Sequence, residues 1–280
     1  MPRAITTTPR AADGSITATP HRTAGDRERI TATVCGPVDS RVCCVARTAP
    51  GPGSRAGAPR GRGRGGVVAP GTFDDLPVSS TRDLRVVALG DSVVAGVGDP
   101  DCRGWFGRLV AAVGRRGVPT TAYNLGIRRN TSSDVLARWE RETGARRAPG
   151  CDERLVLSFG VNDGVEEDGR CRVEPDVTVA NLTRLLAGAE AAGLPAFVVG
   201  PPPIADAAVN RRVRDLTARF LGVCDAAGVP FVDVFDALSA DEVWTTGVRD
   251  GDGAHPGADG YDRLARLAMP AWLSWIGAAR

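Results

Sequence analysis

From Leu84 onward the chain predicts a doubly wound α/β domain, and three observations carry that prediction. Short, nearly continuous apolar runs alternate with segments of helical periodicity, and such runs suit strands buried on both faces. Glycine followed by proline, Gly193 with Pro195 and Gly228 with Pro230, ends two helical segments just before a run begins. Chemistry-bearing residues cluster just after the runs, at what would be the carboxyl ends of parallel strands, where open α/β sheets bind their ligands. Strands joined through helices pair in parallel and leave helices on both faces of the sheet.

The elements follow in order. Leu84–Leu89 (LRVVAL) is the first strand. Trp105, Leu109 and Val113, spaced i, i+4, i+8, mark the helix after it. Thr120–Leu125 is the second strand, and Val135, Leu136 and Trp139 mark the next helix. Leu155–Phe159 is the third strand; Val179, Leu182, Leu185, Leu186 and Ala189 line one face of a third helix. Ala196–Val199 is the fourth strand, and Val209, Val213, Leu216, Phe220 and Val223 give a fourth helix. Pro230–Val234 is the fifth strand. Tyr261, Leu264, Leu267 and Ala268 open the last helix, which Pro270 is expected to kink before Trp272–Ile276, because proline lacks the N–H and crowds the preceding turn. No internal repeat is visible.

A length of 280 residues accommodates one sizeable α/β domain and an extra segment. All 35 basic residues are arginine, which points to a GC-rich coding sequence and not to a function. Residues 1–80 hold 11 arginines against 6 carboxylates, net +5, while residues 81–280 hold 24 against 27, net −3. The larger region therefore carries no nucleic-acid footprint. The stretch RTAPGPGSRAGAPRGRGRGGVVAPG from Arg47 cannot bury enough apolar surface to offset its ordering entropy. Residues 1–80 are expected to be a disordered extension, or upstream sequence outside the mature protein, ahead of a domain at 81–280. An arginine-rich arm for an anionic partner is the other reading; it is disfavoured because the run is short and no aromatic residue interleaves it. Seven cysteines at irregular spacings, with no CxxC pair, suit free thiols in a reducing compartment, although a bridge among Cys102, Cys151 and Cys171 fits their expected loop positions. No run of about 18 apolar residues exists to span a membrane, and Met1–Arg29 lacks the apolar core of a signal peptide. A cytoplasmic protein is expected.

Gly90–Gly96 reads GDSVVAG directly after the first strand, and Asp252-Gly-Ala-His255-Pro lies far downstream. A serine hydroxyl is a poor nucleophile until a base takes its proton and a carboxylate holds that base in the right tautomer. Ser92, Asp252 and His255 supply those three parts in chain order. Taken alone, Ser92 is as well read as a helix N-cap, and the Asp–His pair as a surface turn; together they favour the catalytic reading. Asp250 is a rival carboxylate. GDSVVAGVG has no following Gly-Lys-Ser/Thr and does not make GxGxxG, so a phosphate-cradling loop is disfavoured. The GxSxG elbow is absent as well. The other histidine, His21, lies in the extension, so a histidine-rich metal site is not expected.

Two further blocks follow strands: Asn124-Leu-Gly126-Ile-Arg-Arg129-Asn-Thr131 and Phe159-Gly-Val-Asn162-Asp163. In order and spacing the four blocks resemble the SGNH hydrolases, also called the GDSL esterase/lipase family, from about Arg85 to the C-terminus. The resemblance implies a three-layer α/β/α, flavodoxin-like sheet of about five parallel strands in the order 2-1-3-4-5. It implies Ser92 as nucleophile, His255 as base and Asp252, not Asp250, as the orienting carboxylate. It also implies an oxyanion hole from the Ser92 N–H, a second-block N–H and the Asn162 amide. The family places glycine where Arg129 stands; the backbone N–H survives that change, and the new guanidinium would either contact an anionic substrate or pair with a nearby aspartate. The other reading of Asn162 is a plain loop asparagine, with Asp163 doing structural work. The implied activity is hydrolysis of a small-molecule acyl ester without metal or organic cofactor. Transfer to another acceptor, thioester cleavage, or a binding module whose site has decayed are the alternatives.

Overall fold

The structure, a computed structural model, describes residues 82–278. The extension expected over residues 1–80 lies outside the described residues. In chain order the elements are β1 (Leu84–Gly90), α1 (Ser92–Ala95), α2 (Gly104–Gly114), β2 (Thr120–Gly126), α3 (Ser132–Gly144), β3 (Asp152–Ser158), β4 (Glu166–Glu167), β5 (Arg170–Cys171), α4 (Pro175–Ala191), β6 (Ala196–Val199), α5 (Ala207–Ala226), β7 (Phe231–Val232), α6 (Phe235–Ser239), α7 (Glu242–Asp250) and α8 (Ala258–Ile276). Five strands form one parallel sheet in the order β2-β1-β3-β6-β7, which is 2-1-3-4-5 in the count of the main strands. β4 and β5 form a separate antiparallel hairpin.

The pleat explains the three layers. β1 sends Leu84, Val86 and Ala88 to one face, where Val156, Phe197 and Val199 join them beneath α2 and α8. It sends Val87 and Leu89 to the other, with Leu155, Leu157 and Val198, beneath α3, α4 and α5. Each valine, leucine or phenylalanine among them contributes about 1.5–3 kcal/mol when fully buried, and a register slip of one residue would exchange both faces at once. Register aligns Leu84 of β1 with Thr120 of β2 and Asp152 of β3, so the three strands end together at Gly90, Gly126 and Ser158. That common carboxyl edge carries the candidate site.

All five expected strands form, with adjusted ends. β2 is an edge strand and half-exposed, unlike the buried β1 and β6. β7 stops at Val232, short of the expected Val234, because the Asp233 carboxylate accepts the Phe235 N–H at 2.9 Å and turns the chain into α6. Gly193 and Gly228 adopt φ of 65° and 63°, the left-handed geometry expected at helix stops. α8 continues as one element through Pro270 to Ile276. The short α1, α6 and α7 and the β4–β5 hairpin were not anticipated from periodicity. Among the described residues no helix is long and apolar enough to cross a membrane. There Cys102, Cys151, Cys171 and Cys224 carry free thiols, so the bridge considered among the first three is not formed.

Candidate active site

Ser92 is the first residue of α1, immediately beyond the end of β1. Asp91 caps that helix by accepting the Val93 N–H at 2.9 Å, and Gly96 ends it at φ 78°. The helix is a single turn, so what it offers a developing anion is local N–H groups more than a macrodipole. Gly90 adopts an ordinary φ; its contribution is room, since a β-carbon there would lie 2.0 Å from the Ser158 carbonyl oxygen. Gly126 does the same for β2, where a β-carbon would lie 2.2 Å from Ala95 N. Asn124 ties the two elements together by donating to the Val94 carbonyl at 2.7 Å and accepting the Gly126 N–H at 3.1 Å.

The loop between α7 and α8 brings the other partners. His255 Nε2 lies 2.7 Å from Ser92 Oγ, across 163 residues of chain. His255 Nδ1 lies 2.7 Å from Asp252 Oδ2. Asp252 Oδ1 accepts the Ala254 and His255 N–H groups at 3.1 and 2.9 Å. Burial pulls the Asp252 carboxyl upward, but the bonds from the His255 ring and these two amides outweigh it and hold it below the usual carboxylate range. Asp250, the rival, pairs with Arg249 instead. Trp244 of α7 is fully buried and donates its indole N–H to the Pro203 carbonyl at 2.9 Å, which fixes the helix that leads into the loop.

Asn162 sits between Val161 and Val165, which pack with Val209, Val213 and Phe235 in a small cluster. Its amide donates to the Asn130 carbonyl at 3.0 Å and approaches Asp91 Oδ2 at 3.4 Å. Asp163 next to it is structural: the buried carboxylate accepts the Ser132 N–H at 3.0 Å and the Thr178 hydroxyl at 2.9 Å. Burial pushes its carboxyl upward despite those donors. Asp91 is only 2% exposed. Burial pushes its carboxyl up to about 7 against the Val93 N–H bond, and the Asp163 carboxylate adds to the rise.

Arg129 is the third residue of a turn closed by the Asn130 N–H on the Ile127 carbonyl at 3.1 Å, and its φ is 65°. That is the conformation for which glycine is normally selected at this position of a turn. Its guanidinium pairs with Glu167 of the hairpin at 2.7 Å; where pairing with a nearby aspartate was one of the two readings, the partner is a glutamate. Sequence reasoning missed three neighbours. Arg128 approaches Asp252 Oδ2 at 3.7 Å. Arg138 of α3 donates to the Gly90 and Leu125 carbonyls at 3.0 and 2.8 Å and to the Asn130 side chain at 2.9 Å, which braces the turn from below. The β4–β5 hairpin itself had one signal, the Asp168-Gly169 dipeptide, which favours a two-residue hairpin turn.

Ser92, Arg129, Asn162, Asp252 and His255 thus come together at the carboxyl edge of the sheet. Among the described residues no three His, Cys, Asp or Glu side chains group as a metal site would need. No curated protein matches the chain. Several solved structures share the fold. A lipase/acylhydrolase from Enterococcus faecalis is 22% identical over 67% of this chain and 94% of that chain, with TM-score 0.54. TesA is 21% identical over 68% and 99%, with TM-score 0.56. A catalytic mutant of Axe2, an acetylxylan esterase from Geobacillus stearothermophilus, is 18% identical over 69% and 94%, with TM-score 0.57. At these identities the likeness is one of fold. The GDSL-like lipase/acylhydrolase family model matches residues 88–263, more than half the chain and all five site residues, and the chain belongs to that family.

Proposed function

We propose that the protein is a serine esterase that hydrolyses carboxylic acyl esters through an acyl-enzyme. The observation that carries the reading is the continuous relay of two 2.7 Å contacts from Ser92 Oγ through the His255 ring to Asp252. Ser92 Oγ attacks the ester carbonyl while His255 Nε2 takes its proton. The negative charge that forms on the carbonyl oxygen is held by the N–H groups of Ser92 and Arg129 and by the Asn162 amide; one such donor is worth about 3 kcal/mol in the transition state. His255 returns the proton to the departing alcohol, and Ser92 keeps the acyl group. Water then repeats the steps in reverse, giving the acid and the free serine. Asp252 holds the Nδ1 proton in place and stabilises the imidazolium formed at each step.

Steady-state kinetics on a panel of aryl esters of increasing chain length test this, with acyl-CoA esters and an added alcohol acceptor separating thioester cleavage and transfer from hydrolysis. Ser92→Ala and His255→Ala should each lower kcat by at least about a thousandfold, and Asp252→Asn should also be severe, in proteins whose melting temperature is retained. Full activity in Ser92→Ala would overturn the assignment.

A further inference from the structure

We propose that Glu167 is a positioning residue for the oxyanion hole, whose carboxylate holds Arg129 in the left-handed conformation that its turn requires. The inference rests on the reading of the Arg129 N–H as an oxyanion donor. At φ 65° the β-carbon of Arg129 crowds its own backbone, whereas glycine would adopt this conformation freely. The turn that carries Arg129 is therefore biased toward other conformations unless something outside it restrains the side chain. The side chain is 73% exposed, and what it contacts is Glu167 Oε1, at 2.7 Å.

Glu167 stands on a fixed platform. Its hairpin turns through Asp168 and Gly169, both at positive φ, 54° and 76°, as a two-residue turn demands. The base is closed by the Arg172 N–H on the Val165 carbonyl at 2.9 Å, and Arg172 Nε also lies 3.4 Å from Glu167 Oε1. Arg212 of α5 anchors the same base, donating to the Gly164 carbonyl at 3.0 Å and pairing with Glu166. The hairpin grows from the loop that carries Asn162, and Asn162 donates to the carbonyl of Asn130, the residue after Arg129. The two segments that bear the oxyanion donors are thus tied at two points, Asn162 to Asn130 and Glu167 to Arg129. Most exposed ion pairs contribute little to stability. This one differs in place: the residue it restrains holds an unfavourable backbone conformation within the site, so its effect falls on turnover and not on global stability.

The test is kinetics of the full chain on a neutral aryl ester. Glu167→Gln and Glu167→Ala are each made with Arg129 present and in an Arg129→Gly background. With Arg129 present, Glu167→Ala should lower kcat about threefold with KM and melting temperature nearly unchanged, and Glu167→Gln should act in the same direction. In the Arg129→Gly background, where the turn no longer needs restraint, the same substitutions should lower kcat by less than about 1.5-fold. Added salt should lower kcat of the Arg129 chain and not of the Arg129→Gly chain, since the pair is exposed to screening. An equal loss in both backgrounds, no loss with Arg129 present, or a change confined to KM would overturn the proposal. Should Ser92→Ala be as active as the parent chain, the esterase reading itself fails; should Ser92 be required and the Glu167 effect be independent of Arg129, the clamp alone fails.

Discussion

A carboxyl group buried beside Ser92 sets a pH dependence that can be measured. Asp91 ionises near 7 in the folded chain against a usual 3.8, so the native state retains a proton that the unfolded chain releases. Stability from this group is therefore lost as pH rises from about 4 to about 7. Asp91→Asn removes the charge and keeps a good N-cap. Its melting temperature should exceed that of the parent by a margin that grows across this window and vanishes below it; a margin independent of pH would contradict the burial argument. That Ser92, Asp252 and His255 would meet was legible in the sequence, because nucleophilic catalysis dictates residue type and the blocks fix position, and their side chains lie at 2.7 Å from one another along the row. Arg128, Arg138 and Glu167 were not. Their roles depend on partners distant in sequence, such as Arg129 and Glu167, 38 positions apart, and an exposed arginine or glutamate carries no signature of its neighbour.

Elements meet at the site through two glycines, and the reason differs from the one that sequence suggests. Gly90 invites the reading of a sharp turn, yet its φ is ordinary and the constraint is the approach of β3. Gly126 lets β2 end against α1 in the same way. Gly126→Ala should push α1 away from β2 and displace Ser92, costing about 1–3 kcal/mol in stability and lowering kcat at least about tenfold. Wild-type kinetics in a stable Gly126→Ala protein would show that α1 tolerates the shift. The main strands and long helices were legible because both have a period and a core to face. α6 and α7 were not: α7 buries only Trp244 and Val248, too few positions to establish a helical period. The hairpin was missed because its strands are two residues each, although Asp168-Gly169 announced its turn.

For the molecule as a whole, the doubly wound sheet explains why residues from four separate stretches converge. Parallel strands in the order β2-β1-β3-β6-β7 end on one edge, where α1 after β1 carries Ser92 and the loops leaving β2 and β3 carry Arg129 and Asn162. Alternation of strand and helix made that architecture readable; the strand order needed the resemblance of the four blocks. The sheet, both helical layers and every candidate site residue fall within residues 82–278. Deleting residues 1–80 should therefore leave melting temperature and esterase kinetics nearly unchanged, and a large loss of either would show that the domain depends on the extension. The central claim is that Ser92 is a nucleophile activated by His255. A fluorophosphonate probe tests it most directly, with the modified residue located by mass spectrometry. One adduct on Ser92 is predicted in the parent chain, none in Ser92→Ala, and strongly slowed labelling in His255→Ala. Absence of labelling in the folded parent chain, or an adduct on a different serine, would contradict the account.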